Sequence, residues 1–290
     1  MALRMLQTDL ALAHRRFQAW WEGYAFDASA ERNRLARAHG LSAANGSSTY
    51  RAEDEIAQCI WGAGRLEPGS ALWTMRFARE LGVSVKARMI VLGAGAGGPL
   101  RDLKTATRWK ISGYSRYLGQ ARGVNLKPYD QVMSRLNRAS VEGGLSFFEL
   151  HRDPDPKAFA SFSAELVAPS APMTFVDFTV ARKGKKMKSC FSSPWSGTPR
   201  TPSDYTKMLD EAGFRVAETS DETRTFLPLI SQGWARWKSA YEEAAAIANA
   251  TDRIEHLQTL NRYAHLWAER FDALKSRQLQ VTRFLTRRKD

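Results

Sequence analysis

Cysteine is almost missing from this chain: Cys59 and Cys190 are the only two among 290 residues. Two distant thiols make neither a disulfide framework nor a zinc-ligand set, and such sparing use fits a reducing cytoplasm. Long apolar runs are missing too. The most apolar stretch, residues 89–100, is half glycine and alanine and carries a proline, whereas a membrane-spanning helix needs about 20 consecutive apolar residues. No secretory signal is legible at the N-terminus, where Asp9, His14, Arg15 and Arg16 interrupt the apolar residues. There is no internal repeat and no long low-complexity segment. Acidic residues are scarce relative to basic ones, 30 against 43, leaving a net charge of +13. A surface so charged attracts nucleic acid, anionic lipid or an acidic protein; otherwise it serves solubility alone.

What is present is a globular composition, 43% hydrophobic and 25% charged, which excludes a disordered or fibrous chain. Residues 1–85 read as a helical N-terminal region. Leu3, Leu6, Leu10, Phe17, Trp20 and Trp21 recur at roughly helical spacing, and further helices are expected at 52–60 and 71–81. From residue 87 the pattern changes to alternating β and α segments. Strands are expected at 87–92, 110–114, 145–150 and 173–180, with helices from about Pro99, over 116–122 and over 156–167. Such alternation implies βαβ units and a mostly parallel, covered sheet. A helix at 203–212 ends at Gly213, and a strand follows at 214–218. A long helical region, about 231–275, is broken near Thr251 and Asp252. Residues 278–286, rich in β-branched and aromatic side chains, read as a final strand. Two regions result: a helical 1–85, and an α/β 86–290 interrupted by the long helical insertion.

Gly93-Ala94-Gly95-Ala96-Gly97-Gly98 stands between a strand and a helix. Glycines there let the backbone approach a nucleotide-like ligand closely, and the helix N-terminus supplies unpaired N–H groups. Tight strand–helix turns also want glycine, so the loop alone is a weak signal. Its neighbours sharpen it: Trp61-Gly62-x-Gly64-x-Leu66-x-Pro68-Gly69, Gly113 followed by Tyr117-Leu118-x-x-Ala121-Arg122, and Tyr205-x-x-Met208-Leu209-x-x-Ala212-Gly213-Phe214. Together these segments resemble class I S-adenosylmethionine (SAM) dependent methyltransferases. The nearest look is that of the small-molecule N-methyltransferases acting on sarcosine, dimethylglycine or phosphoethanolamine. The resemblance runs from about Trp61 to the C-terminus. It implies a Rossmann-like seven-stranded sheet with an antiparallel last strand, an N-terminal helical lid, and SAM held over Gly93, Gly95 and Gly97.

The sequence departs from that pattern at two positions. The resembled family has an acidic residue two places before the first glycine of the loop; here it is Val91. A second acid, closing the second strand, accepts hydrogen bonds from both ribose hydroxyls of SAM; Ser115 or Tyr114 holds that place. Loss of such a two-bond contact weakens binding by about 3–5 kcal/mol. A third acid, after the third strand, holds the adenine amine, and Asp130 matches its spacing from Val124. Weak or no SAM binding is therefore expected.

A sulfonium methyl group is already activated, so alignment and a dry site supply most of the catalysis and no diagnostic triad is expected. Residues 146–151 follow the fourth strand, which the resemblance places beside substrate and methyl group. Glu149 and His151 are accordingly the candidate base or amine ligand. The competing reading of His151 is a capping or surface histidine beside Asp153 and Asp155.

Arg182, Lys183, Lys185, Lys186 and Lys188 put five cations into seven residues directly after the expected fifth strand. They suit a phosphate, a lipid headgroup or an acidic protein, or form a solvated loop. Arg283, Arg287, Arg288 and Lys289 run down the antiparallel last strand and end on the other side of the sheet. The aromatic residues of the helical parts favour core packing; Trp61 and Trp73 are candidates for lining the cofactor cleft.

Three functions compete. The first is a degenerate methyltransferase whose surface binds an active methyltransferase subunit, an acidic protein or an anionic membrane. The second is an active SAM-dependent enzyme acting on a small amine or phosphorylated amine. The third, a nucleic-acid methyltransferase or binder, rests on charge alone. No Asn/Asp-Pro-Pro-Tyr type motif follows the fourth strand, and no RNA-binding signature is present.

Overall fold

The computed structural model describes residues 46–116, 123–128, 139–181 and 197–290. The chain divides into two units, Met1–Tyr50 and Arg51–Asp290; the sheet lies in the second.

Helix α1 (Gly46–Trp61) starts earlier than the apolar spacing predicts. Helix α2 (Ala71–Glu80) follows a Ser70 cap, whose Oγ accepts from the Trp73 N–H at 3.1 Å. The alternating part then runs β1 (Arg88–Leu92), α3 (Gly98–Ala106), β2 (Lys110–Ser115), β3 (Leu126–Pro128), β4 (Gly143–Phe147), α4 (Pro156–Leu166), β5 (Pro172–Val180) and α5 (Pro202–Glu211). Strand β6 (Phe214–Asp221) leads into helices α6 (Thr223–Trp234), α7 (Trp237–Ala245) and α8 (Ala250–Lys275), and β7 (Leu279–Arg288) closes the sheet. The order is β3-β2-β1-β4-β5-β7-β6. β1 to β5 are parallel, and β7 runs antiparallel between β5 and β6.

The central strands are apolar on both sides because helices cover both faces of the sheet. In β1, Met89 and Val91 enter one core with Phe77, Phe178, Phe226 and Trp267, while Ile90 and Leu92 enter the other with Phe159, Tyr205 and Phe214. This is the two-residue alternation of a strand buried between layers.

Two regions correct the sequence reading. Strand β4 begins at Gly143 and ends at Phe147 rather than spanning 145–150. Phe148 turns into the left-handed region at φ 56°, which ends the strand and swings the next residues over the end of the sheet. The helical insertion starts at Thr223, and its breaks fall at 235–236 and 246–249; Asn249 caps α8 through Oδ1. The helix expected over 116–122 lies almost wholly outside the described residues.

The run of cations along β7 is not uniform. Arg287 is exposed, but Arg283 is 6% exposed and pairs with Glu80, Glu218 and Glu222, with its Nε donating to Ser220 Oγ at 2.8 Å. Glu222 is itself buried. Removing one member of a buried ionic group leaves its partner uncompensated. Arg283→Ala should therefore cost about 3–5 kcal/mol, and Arg287→Ala no more than about 0.5 kcal/mol, both read from urea unfolding. Equal losses would contradict the assignment.

Candidate functional site

All parallel strands of this sheet end on one edge, and the loops leaving those ends build the candidate site. Gly93, Gly95 and Gly97 sit directly after β1 with φ of 69°, 57° and 92°, a region that side chains with a Cβ avoid. Space is as restrictive as angle. A Cβ on Gly93 would collide with the carbonyl oxygen of Phe147, and one on Gly95 would lie 3.0 Å from the Gly64 carbonyl oxygen.

The segment after α1 lies against this loop. The Gly98 N–H donates to the Gly64 carbonyl at 2.8 Å, and Ala94 N–H donates to Tyr114 O at 3.1 Å. Pro99 has no N–H, so the first turn of α3 keeps few open donors for a ligand. Arg65 pairs with Asp102 of α3, and Arg101 donates to the Ala63 carbonyl at 2.6 Å. The 62–66 segment is thus tied to the loop by backbone and side chain alike.

The expected cofactor residues divide. Ser115 ends β2 and is 2% exposed, and no carboxylate stands there. Val91 is wholly buried in the apolar core between Gly113 and Leu145, so an acid at that place would lie among hydrocarbon. Asp130 and the cationic residues 182–188 lie outside the described residues. The residues present therefore fit SAM only in part: the glycine loop is retained and the ribose-binding carboxylate is not.

Glu149 and His151 follow β4 but take separate partners, in a form the sequence did not foresee. Glu149 is 2% exposed and accepts from Arg116 Nε at 3.0 Å, while Arg116 Nη2 reaches Asp153 at 2.9 Å. Burial pushes the Glu149 carboxyl up to about 7, against the pull of the Arg116 guanidinium. His151 is neither a cap nor a surface residue. It is 1% exposed, its Nδ1 lies 2.6 Å from Asp177 Oδ1, and its ring meets Phe178 edge-on. Asp177 also accepts from the N–H groups of Leu150 and Phe178, each at 2.8 Å. This carboxylate fixes the chain leaving β4 to the interior of β5. A lone Asp in the otherwise apolar run of β5 was the signal for it, since a buried charge must find partners. Glu67 was missed as well: it takes Arg152 as an ion-pair partner across the same edge. Trp61 and Trp73 are core residues rather than cleft residues. Trp61 donates to Tyr263 Oη at 2.7 Å, and Trp73 stacks on Phe148. Among the described residues no group of acids, histidines and cysteines is placed to hold a metal ion.

Glu149 gives a pH signature. Its folded pKa of about 7 lies above the ordinary 4.5, so its contribution is intact below pH 4.5 and is lost as pH rises through 7. Glu149→Gln is neutral at every pH. Relative to the natural chain it should gain on the order of 3 kcal/mol in unfolding free energy between pH 4.5 and 8. A stability difference that does not change with pH would contradict this.

No protein-family model matches the chain, and no curated protein matches it in sequence. Solved structures do match in fold. A putative sarcosine dimethylglycine methyltransferase from Galdieria sulphuraria superposes with a TM-score of 0.66 at 15% identity, over 83% of this chain and 98% of that one. Phosphoethanolamine N-methyltransferase 2 from Haemonchus contortus, solved with phosphomonomethylethanolamine and S-adenosylhomocysteine, gives 0.65 at 14% identity over 81% of this chain. The match spans only 56% of that enzyme's length. A mycolic acid cyclopropane synthase solved with S-adenosylhomocysteine gives 0.66 at 11% identity over 84% of this chain and 98% of that one. Sheet order, the antiparallel β7 and these likenesses agree: the chain has the class I SAM-dependent methyltransferase fold.

Proposed function

We propose that this chain is a methyltransferase-fold protein with weak or no SAM binding, acting as a binding or regulatory subunit. One observation carries the reading. The end of β2 offers a buried Ser115 where the fold's relatives by resemblance hold a carboxylate, and the next residue, Arg116, is committed to Glu149 and Asp153. A serine hydroxyl replaces a charged, two-point acceptor with a neutral, single one. Retention of the glycine loop does not argue for cofactor binding. Positive φ and the crowding by Phe147 and Gly64 require those glycines whether or not SAM binds. With a net charge of +13, the partner suited to this chain is anionic: an acidic protein, an acidic face of an active methyltransferase subunit, or a membrane surface.

A second reading is an active methyltransferase of a small amine or phosphorylated amine, as the structural neighbours suggest. Glu149 favours it, since a carboxyl near 7 is matched to proton transfer at neutral pH. Calorimetric titration of the full chain with SAM separates the two. We expect a Kd in the high micromolar to millimolar range or no heat at all, with Ser115→Asp tightening binding tenfold or more. A micromolar Kd in the natural chain would overturn the degenerate reading and leave the enzyme.

A further inference from the structure

Beside the glycine-loop edge, helix α8 carries one cation deep into the protein. The Arg270 side chain is 3% exposed. Its guanidinium carbon lies 4.7 Å over the Trp267 ring and 5.5 Å from the centre of the Phe178 ring. Its Nη1 is 3.9 Å from Glu67 Oε2, a carboxylate whose other oxygen pairs with Arg152. The two rings stand 6.4 Å apart and tilted by 56°, and Trp61 backs Trp267 at 4.9 Å. Trp267 is 1% exposed.

Helix α8 needs no charge for its own packing, which Leu260, Tyr263, Trp267, Ala273 and Leu274 provide. A straight apolar side chain at position 270 would fill the space without the desolvation cost of a guanidinium. Two aromatic faces and a carboxylate around one cation are, however, the recognition chemistry of organic cations. We propose that Trp267, Phe178 and Glu67 form a binding box for guanidinium or alkylammonium ions, which the chain's own Arg270 occupies. A free organic cation enters only when Arg270 leaves, so α8 carries the internal competitor of any such ligand. The proposal stands apart from SAM: the box is defined without the glycine loop, and its test uses no cofactor.

Arg270→Ala vacates the box. Its thermal unfolding is followed in millimolar n-propylguanidinium chloride, in the uncharged isostere N-propylurea, and in sodium chloride at matched ionic strength. At ten times its Kd, n-propylguanidinium should raise the Tm of the variant by about 2–4 °C. N-propylurea should not, and the natural chain should respond to neither. Adding Trp267→Leu to Arg270→Ala should abolish the preference for the cation. If Arg270→Ala does not fold alone, refolding yield in the same three solutions gives the same readout. Rescue by n-propylguanidinium alone supports the box. Equal rescue by N-propylurea would mean a cavity without charge selectivity, and no rescue by either would mean no site; both outcomes overturn the proposal.

Discussion

Backbone packed directly on backbone around Gly93, Gly95 and Gly98 is the constraint on which the rest of this structure depends. Phe147 O, Gly64 O and the N–H of Leu66 occupy the space where side chains would otherwise begin. The strand-to-helix turn can close only because those positions lack a Cβ and two of them take positive φ. Through this contact the ends of β1 and β4, the start of α3 and the segment after α1 become one piece. In many proteins a loop of this kind leaves its face to a ligand. Here the chain supplies a substantial part of the cover itself, in the Gly64–Gly98 hydrogen bond.

Charge completes what the glycines allow. Arg65 with Asp102, Arg152 and Arg270 with Glu67, and Arg116 with Glu149 and Asp153 fasten the loops along the carboxyl edge of the sheet. Partly buried pairs of this sort add little net stability against hydrocarbon of the same shape, but they fix geometry, because a single lost partner strands a charge. Glu149 shows the tension: burial raises its pKa more than Arg116 lowers it. The excess of basic residues over acidic ones is thus not wholly a surface matter. Arg270 and Arg283 lie inside, paired with acids of the chain itself.

The sheet was legible because its signals are local and repeated. Strands β1, β2, β5 and β7 read as β-rich runs bounded by glycine, proline or polar residues, and the alternation with helices allowed few topologies. Strand β4 was misread at both ends. Gly143 and Gly144 lay outside the expected strand, yet they belong to it, with Met89 and Val83 packed against the one and Ile90 and Met173 against the other. Phe148, Glu149 and Leu150 read as strand on hydrophobicity, but positive φ at Phe148 ends it. The site was legible in its glycines and in the missing acid at Ser115, which are positional. It was not legible in its pairings. Nothing in the sequence joins His151 to Asp177 or Arg270 to Glu67, since these contacts span separate elements and are chosen by the packed core. Asp177 stands out in an apolar strand, but its partner does not.

The central claim is that the glycine loop is held in place by the chain's own segment around Gly64, through the Gly98–Gly64 hydrogen bond. Amide hydrogen exchange of residues 61–69 and 93–98, measured without and with millimolar SAM, tests it most directly. The account predicts that the amides of Gly98 and Ala94 are protected nearly as well as those of β1 and β4 in the free chain, and that millimolar SAM adds little further protection to them. Rapid exchange in the free chain that slows on adding SAM would contradict it.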